Sequence, residues 1–148
     1  MRGRFRAVVL SCLVAAAAAG CGSSATGISA AIQPDPIAAI SAGVPGQAVY
    51  AASWDVVVSD LTGQGGTVES IDARVGGGTV TLDAATSQSF GQPSSQATLG
   101  AFDRRTFHQS GTFTVDASAG SMLSVTARFR AQDGTTFQAT AQARVTVR

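Results

Sequence analysis

The chain has 148 residues, with ten arginines, no lysine, nine acidic residues and one histidine, for a formal net charge of +1. That length holds one compact domain plus a tail, and the balanced charge gives no sign of nucleic-acid binding. Mean hydropathy is positive, +0.22, yet the apolar residues are unevenly placed. Of the first 20 positions 14 are hydrophobic, and the rest of the chain has the proportion of an ordinary soluble domain.

Arg2, Arg4 and Arg6 precede an uncharged run from Ala7 to Ala19, followed by small residues. A basic start, a short apolar centre and a small-residue exit read as a secretory signal over residues 1–20. The apolar run is about 13 residues, short of the roughly 20 needed to cross a bilayer, so a permanent transmembrane helix is disfavoured. Arg2-Gly3-Arg4 is not a contiguous arginine pair, which favours the general secretory route over the twin-arginine one.

The segment Ala18-Ala19-Gly20-Cys21 resembles the cleavage box of bacterial lipoproteins, with Ala18 where Leu is most common. The resemblance implies that Cys21 carries a lipid and becomes the first mature residue, tethering the protein to a membrane. It also implies an envelope location: the outer membrane in a diderm organism, since Gly22 rather than Asp follows the cysteine, and otherwise the outer face of the cell membrane. Cysteine usage agrees. Cys12 lies inside the leader, so removal of that segment leaves Cys21 alone, and a single exported cysteine suggests a reactive free thiol, an intermolecular partner or a modification, of which the modification is the economical reading. No disulfide and no cysteine-based metal site is then expected.

Gly22 to Gly46 is rich in Ser, Ala, Gly, Pro and Gln, and Pro34, Pro36 and Pro45 break regular structure. This composition predicts a flexible linker, which with the lipidated cysteine that the resemblance implies makes up residues 21–46. The competing reading packs Ile32, Ile37 and Ile40 as a first edge strand or short helix. From residue 47 onward period-2 alternation takes over, the mark of half-buried strands. Tyr50, Ala52, Trp54, Val56 and Val58 occupy even positions; Leu123, Val125, Ala127 and Phe129, then Phe137, Ala139, Ala141, Ala143, Val145 and Val147, occupy odd ones. Strands are expected near 49–59, 67–75, 79–83, 99–103, 111–116, 121–130 and 135–147.

Parity selects the turns, because facing residues of an antiparallel pair share a side of the sheet. A two-residue Asp133-Gly134 turn would set Phe129 opposite Gln138. A three-residue Gln132-Asp133-Gly134 loop with a left-handed Gly134 sets Phe129 against Phe137 and Ala127 against Ala139, with Arg128 beside Gln138. The three-residue loop is expected. At the glycine run, inward Ile71, Ala73 and Val75 must face Val80 and Leu82, so a Gly77-Gly78 turn pairing 75 with 80 is expected.

Seven short strands in 47–148 predict an all-β fold, a single antiparallel sandwich. The rhythm Trp54-Asp55-Val56-Val57-Val58-Ser59-Asp60, then Gly65-Gly66-Thr67-Val68-Glu69-Ser70-Ile71, then the final hairpin resembles bacterial immunoglobulin-like and fibronectin III-like domains over about 100 residues. That resemblance implies an Ig-like module.

Chemistry is sparse. His108 is alone, beside Arg104, Arg105 and Gln109; on a polar stretch it reads as a solvated loop residue, and a hydrolase would need it joined to a serine and a carboxylate. One histidine and one lipidated cysteine make no zinc set. Gly63-Gln64-Gly65-Gly66 reads as a turn and not a phosphate loop, because a strand follows and no lysine is available. Asp55, Asp60, Glu69, Asp72, Asp103, Asp116 and Asp133 lack calcium-loop spacing and read as surface acids. Trp54 and Tyr50 read as core, with a sugar platform as the alternative. The outer face of the last hairpin carries Arg128, Arg130, Arg144 and Arg148 among Thr and Gln, a candidate contact surface for an anionic glycan or a protein, though polar residues are also what a solvated face carries. The expectation is therefore a non-catalytic envelope lipoprotein without metal or cofactor, acting by protein–protein contact as a structural, adhesion or accessory component. The alternatives are a carbohydrate- or ligand-binding module and, more remotely, an enzyme.

Overall fold

A computed structural model describes residues 22–23, 27–43, 48–76, 78–82, 97–114 and 121–148. Cys21 and the leader lie outside the described residues, as do Asp116 and the 83–96 stretch. Eleven strands are present: β1 (Gly22–Ser23), β2 (Ile28–Gln33), β3 (Ile37–Ser41), β4 (Val49–Asp60), β5 (Gly66–Val75), β6 (Gly78–Thr79), β7 (Thr81–Leu82), β8 (Thr98–Leu99), β9 (Arg104–Thr114), β10 (Met122–Ala131) and β11 (Thr136–Val147). The fold is all-β, as expected, with more strands than seven.

The long strands follow from alternation. β4, β10 and β11 bury every second side chain, and the buried sets are Ala52-Trp54-Val56-Val58, Leu123-Val125-Ala127-Phe129 and Ala139-Ala141-Ala143-Val145. These face one another across a single core that removes their apolar surface from water. β4 lies between β9 and the pair β2/β3, and β10 lies between β5 and β11. One strand joins the two layers. β3 pairs antiparallel with β4 through Ile40 and Ser41 and parallel with β11 through Ile37, Ala38 and Ala39. The expected sandwich is therefore closed along one side into a continuous curled sheet.

β2 and β3 correct the linker expectation. Ile28, Ile32, Ile37 and Ala39 are essentially inaccessible and belong to the core. β2 pairs along the outer half of β4, from Ile28 opposite Asp60 to Gln33 opposite Asp55. Pro34 and Pro36, each after a cis peptide bond, supply no N–H and so interrupt the ladder between the two strands. The competing reading, in which these isoleucines pack, is the one the fold adopts for Ile32 and Ile37; Ile40 stays exposed. The first core residue thus comes seven positions after Cys21, a reach of about 25 Å when fully extended.

The last hairpin has the expected register, with Phe129 opposite Phe137, Ala127 opposite Ala139 and Arg128 opposite Gln138. Gly134 is left-handed, φ 86°. At the glycine run the parity is as expected but the turn lies one residue earlier: Val75 pairs with Gly78 and Arg74 with Thr79. β7 then leaves β5 and pairs with β9. Two further expectations change. The separate strands 99–103 and 111–116 are instead the short β8 and an uninterrupted β9 that takes in His108. In β5 the inward parity switches from even at Val68 to odd at Ile71, because a bulge at Glu69 shifts the pairing with Arg128 and Phe129. Val147, expected inward, is half-exposed at the end of β11.

Candidate functional site

The most elaborately built part of the surface lies where β4 ends. Asp60 is 2% exposed, and its carboxylate accepts four hydrogen bonds. The donors are the Thr62 backbone N–H (2.8 Å), the Thr62 hydroxyl (2.6 Å), the Gly65 N–H (3.0 Å) and the Phe102 N–H (3.1 Å). Burial alone would push its carboxyl pKa up, but the Thr62, Gly65 and Phe102 hydrogen bonds outweigh it and hold the group below the ordinary aspartate value. Backbone bonds join the same place: Asp60 N–H to Asp103 O, Leu61 N–H to Gly27 O and Gln132 N–H to Gly65 O. Asp60 thus ties the β4–β5 loop to the β8–β9 turn, with the start of β2 and the β10–β11 loop bonded alongside. The sequence reading placed Asp60 among surface acids. The signal that marks it is Asp60-x-Thr62 ahead of a glycine pair, the pattern of an Asx turn.

This cluster presents two apolar side chains to solvent, Leu61 (50% exposed) and Phe102 (76%). Phe102 has a positive φ of 56° and is the one non-glycine residue so disposed among the described residues. Such a conformation costs a bulky L-residue on the order of 1–2 kcal/mol and persists only where its surroundings impose it. Here the Asp60 carboxylate holds its N–H, and the ring lies over Gly63, where a Cβ would come within 2.4 Å of it.

A second surface is the outer face of β3, β4 and β9. Ala38, Ile40, Ala51, Ser53, Ser110 and Thr112 line an open depression of about 370 Å³. Next to it, and corrected from a loop to a strand position, His108 stands opposite Asp55, with Nδ1 2.8 Å from Oδ1. Both side chains are open to water, 71% and 43% exposed, which screens the pair. Among the described residues no group of three or more His, Cys, Asp or Glu side chains could hold a metal ion. Beneath the same strands Trp54 and Gln109 are buried and bonded, indole Nε1 donating to Oε1 at 2.9 Å. Trp54 is therefore core, and Tyr50 packs against the core while partly exposed.

The third surface is the arginine-bearing face. Arg128, Arg130, Arg144 and Arg148 are exposed, and the first three share the outer face of β10 and β11. They do not form one patch. Arg130 is ion-paired with Glu69 on the β5 bulge, and Arg128 meets the Gln138 amide oxygen. Arg144 pairs with Met122, six positions along β11 from Gln138, about 20 Å away.

No family model and no curated protein sequence matches the chain. Among solved structures the fold is similar to that of YcdA from Bacillus subtilis subsp. subtilis str. 168, a protein assigned as a lipoprotein, with a TM-score of 0.52 at 9% identity. The likeness covers 83% of this chain and 38% of YcdA, so the chain spans well under half of that protein's length. At this identity the likeness concerns the fold.

Proposed function

We propose that the protein is a non-catalytic lipoprotein of the bacterial envelope, anchored through Cys21, whose Ig-like domain works by protein–protein contact at the Asp60 loop end. The observation that carries the contact reading is Phe102, an exposed aromatic ring kept in a costly backbone conformation by a buried carboxylate and a glycine. Aromatic anchors of this kind dominate interface energetics, and strained loop residues cluster where surfaces are used.

The strand neighbours support the Ig-like reading. A central β4 with β2 and β9 beside it, and a central β10 with β5 and β11 beside it, match the ABE and CFG groupings of that sandwich. The lipobox-like Ala18-Ala19-Gly20-Cys21 supports the anchor, and the lipoprotein assignment of YcdA agrees with it. Gly22 favours the outer membrane in a diderm cell and the outer face of the cell membrane otherwise.

The test is recovery of a partner by crosslinking tagged full-length protein in intact cells. The partner seen with wild type should be lost with Phe102→Ser and Leu61→Ser and kept with Arg128→Gln. Equal recovery from all four chains would remove the loop end as the contact site. Cys21→Ser should release the protein from the membrane fraction, and its retention there would refute the anchor. A second reading, carbohydrate binding, rests on the 370 Å³ depression with its Ser53, Ser110 and Thr112 hydroxyls. Glycan-array binding abolished by Ser110→Tyr would favour it.

A further inference from the structure

The end of the molecule far from Asp60 carries a patch of different chemistry. On the outer face Met122 stands directly across from Arg144. Arg74, paired with Ser124 on the neighbouring strand, and Arg148, after the last residue of β11, lie at the same end. All three arginines are exposed, and among the described residues none has an ion-pair partner. Met122 is 38% exposed and Val147 45%. Among the described residues the acids in this part of the surface are Asp72, two positions from Arg74, and Asp35, which accepts the backbone N–H of Arg144 at 3.0 Å; the described side chains there number three cations against two acids, a positive balance. Apolar side chains set among arginines suit a membrane interface, where the apolar groups meet the acyl boundary and the guanidinium groups meet headgroup phosphates.

The start of the described chain shows which surface this end meets. β1 pairs antiparallel with β11, Gly22 with Ala141 and Ser23 with Thr140. Stepping back from Ser23 to Gly22 therefore moves along β11 toward Arg144 and away from the β10–β11 loop. Ala141 and Arg144 are three positions apart, about 10 Å, and Cys21 is the residue before Gly22.

We propose that Arg74, Arg144 and Arg148, with Met122 and Val147, rest on the anionic headgroups of the bilayer that receives the Cys21 lipid. The domain then stands with its Phe102 end outward. This rests on the lipid-anchor reading above and adds an orientation and a lipid class to it.

The test uses the full-length lipidated chain in vesicles of phosphatidylcholine alone, and in vesicles where about one lipid in three is phosphatidylglycerol. Trp54 is buried and supplies a constant background. With acyl chains brominated near the glycerol, the fluorescence added by Met122→Trp, or by Val147→Trp as a second reporter, should fall by about half in anionic vesicles. The fluorescence added by Phe102→Trp should not change. Combining Arg74→Gln, Arg144→Gln and Arg148→Gln should restore the Met122→Trp signal, as should raised salt. Suppose instead that the protein floats with the vesicles but quenching is equal at both ends, greater at Phe102→Trp, or indifferent to anionic lipid and to the triple substitution. Each of these results overturns the orientation and leaves the anchor standing. Failure of the lipidated wild type to float with either vesicle overturns the anchor and the orientation together.

Discussion

At one end of the molecule four chain segments converge around the Asp60 carboxylate, with side-chain and backbone hydrogen bonds closing every turn. At the other end β11 simply runs out, held by its parallel pairing to β3 and the Arg148 N–H bond to Ala39 O, with Arg144 and Met122 facing outward. Both ends expose apolar side chains. Only the first carries backbone strain to do so, because Phe102 is fixed in place while Met122 and Val147 are ordinary strand residues with their alternate faces open to water. A rigid, aromatic surface suits a shaped protein partner, since little freedom is lost on binding. A looser surface of arginine and single apolar groups suits a fluid one.

The largest effect should come from the centre of the organised end. Asp60→Ala strands three backbone donors, the Gly65 N–H buried and those of Thr62 and Phe102 partly so, and should cost roughly 3 kcal/mol, lowering Tm by about 10–20 °C for a domain of this size. Protonation acts on the same bonds. Because the folded Asp60 carboxyl titrates below its ordinary value, its contribution is complete above the unfolded pKa of about 3.9 and is lost as pH falls through the folded one. The urea midpoint of the wild type should therefore drop on acidification below about pH 4, and Asp60→Asn should flatten that part of the curve.

Gly63→Ala comes next, at about 1–2 kcal/mol by urea melts, since φ is +73° there and the new Cβ collides with the Phe102 ring. Phe102→Gly should move the other way. It relieves the positive φ and should leave stability unchanged or raise it by up to about 1 kcal/mol, while abolishing partner recovery. Loss of stability in Phe102→Gly would mean that the ring supports the fold instead of being supported by it. The smallest effect belongs to the far end, where Arg144→Gln with Arg148→Gln should change stability by no more than about 0.5 kcal/mol in urea even as it alters behaviour on anionic vesicles.

Much of the architecture was legible where hydrophobicity and parity agree. The Phe129–Phe137 register follows from alternation alone, because a one-residue slip would put Ala127 and Ala139 on opposite faces and turn one strand's apolar set to water. The first part of β9, ahead of the expected 111–116 strand, was missed for the converse reason. Its inward positions are Phe107, Gln109, Gly111 and Phe113, and a buried glutamine and a glycine hide the period. Gln109 is tolerable inside only because it accepts from Trp54, and its Nε2 lacks a partner. Trp54→Phe alone should therefore destabilise by about 1–2 kcal/mol, and adding Gln109→Leu should recover most of it. The linker reading failed at Ile28 to Ala39 because prolines and small residues mask two strands whose stability comes from β4 and β11, a tertiary contribution that local composition does not report. As for the sites, the arginines were visible by type, but their separation into one ion-paired position (Arg130), one bonded to a neutral amide (Arg128) and two at the far end depends on the Glu69 bulge and on spacing along β11. Asp60 and Phe102 gain their meaning only from loops meeting in space.

The most direct measurement places a photoreactive benzophenone side chain at position 102 in one chain and at position 122 in another, each full-length and lipidated, and irradiates intact envelopes. The account requires a protein adduct from 102 and a lipid adduct from 122. A lipid adduct from 102, or the same protein captured from both positions, would contradict it.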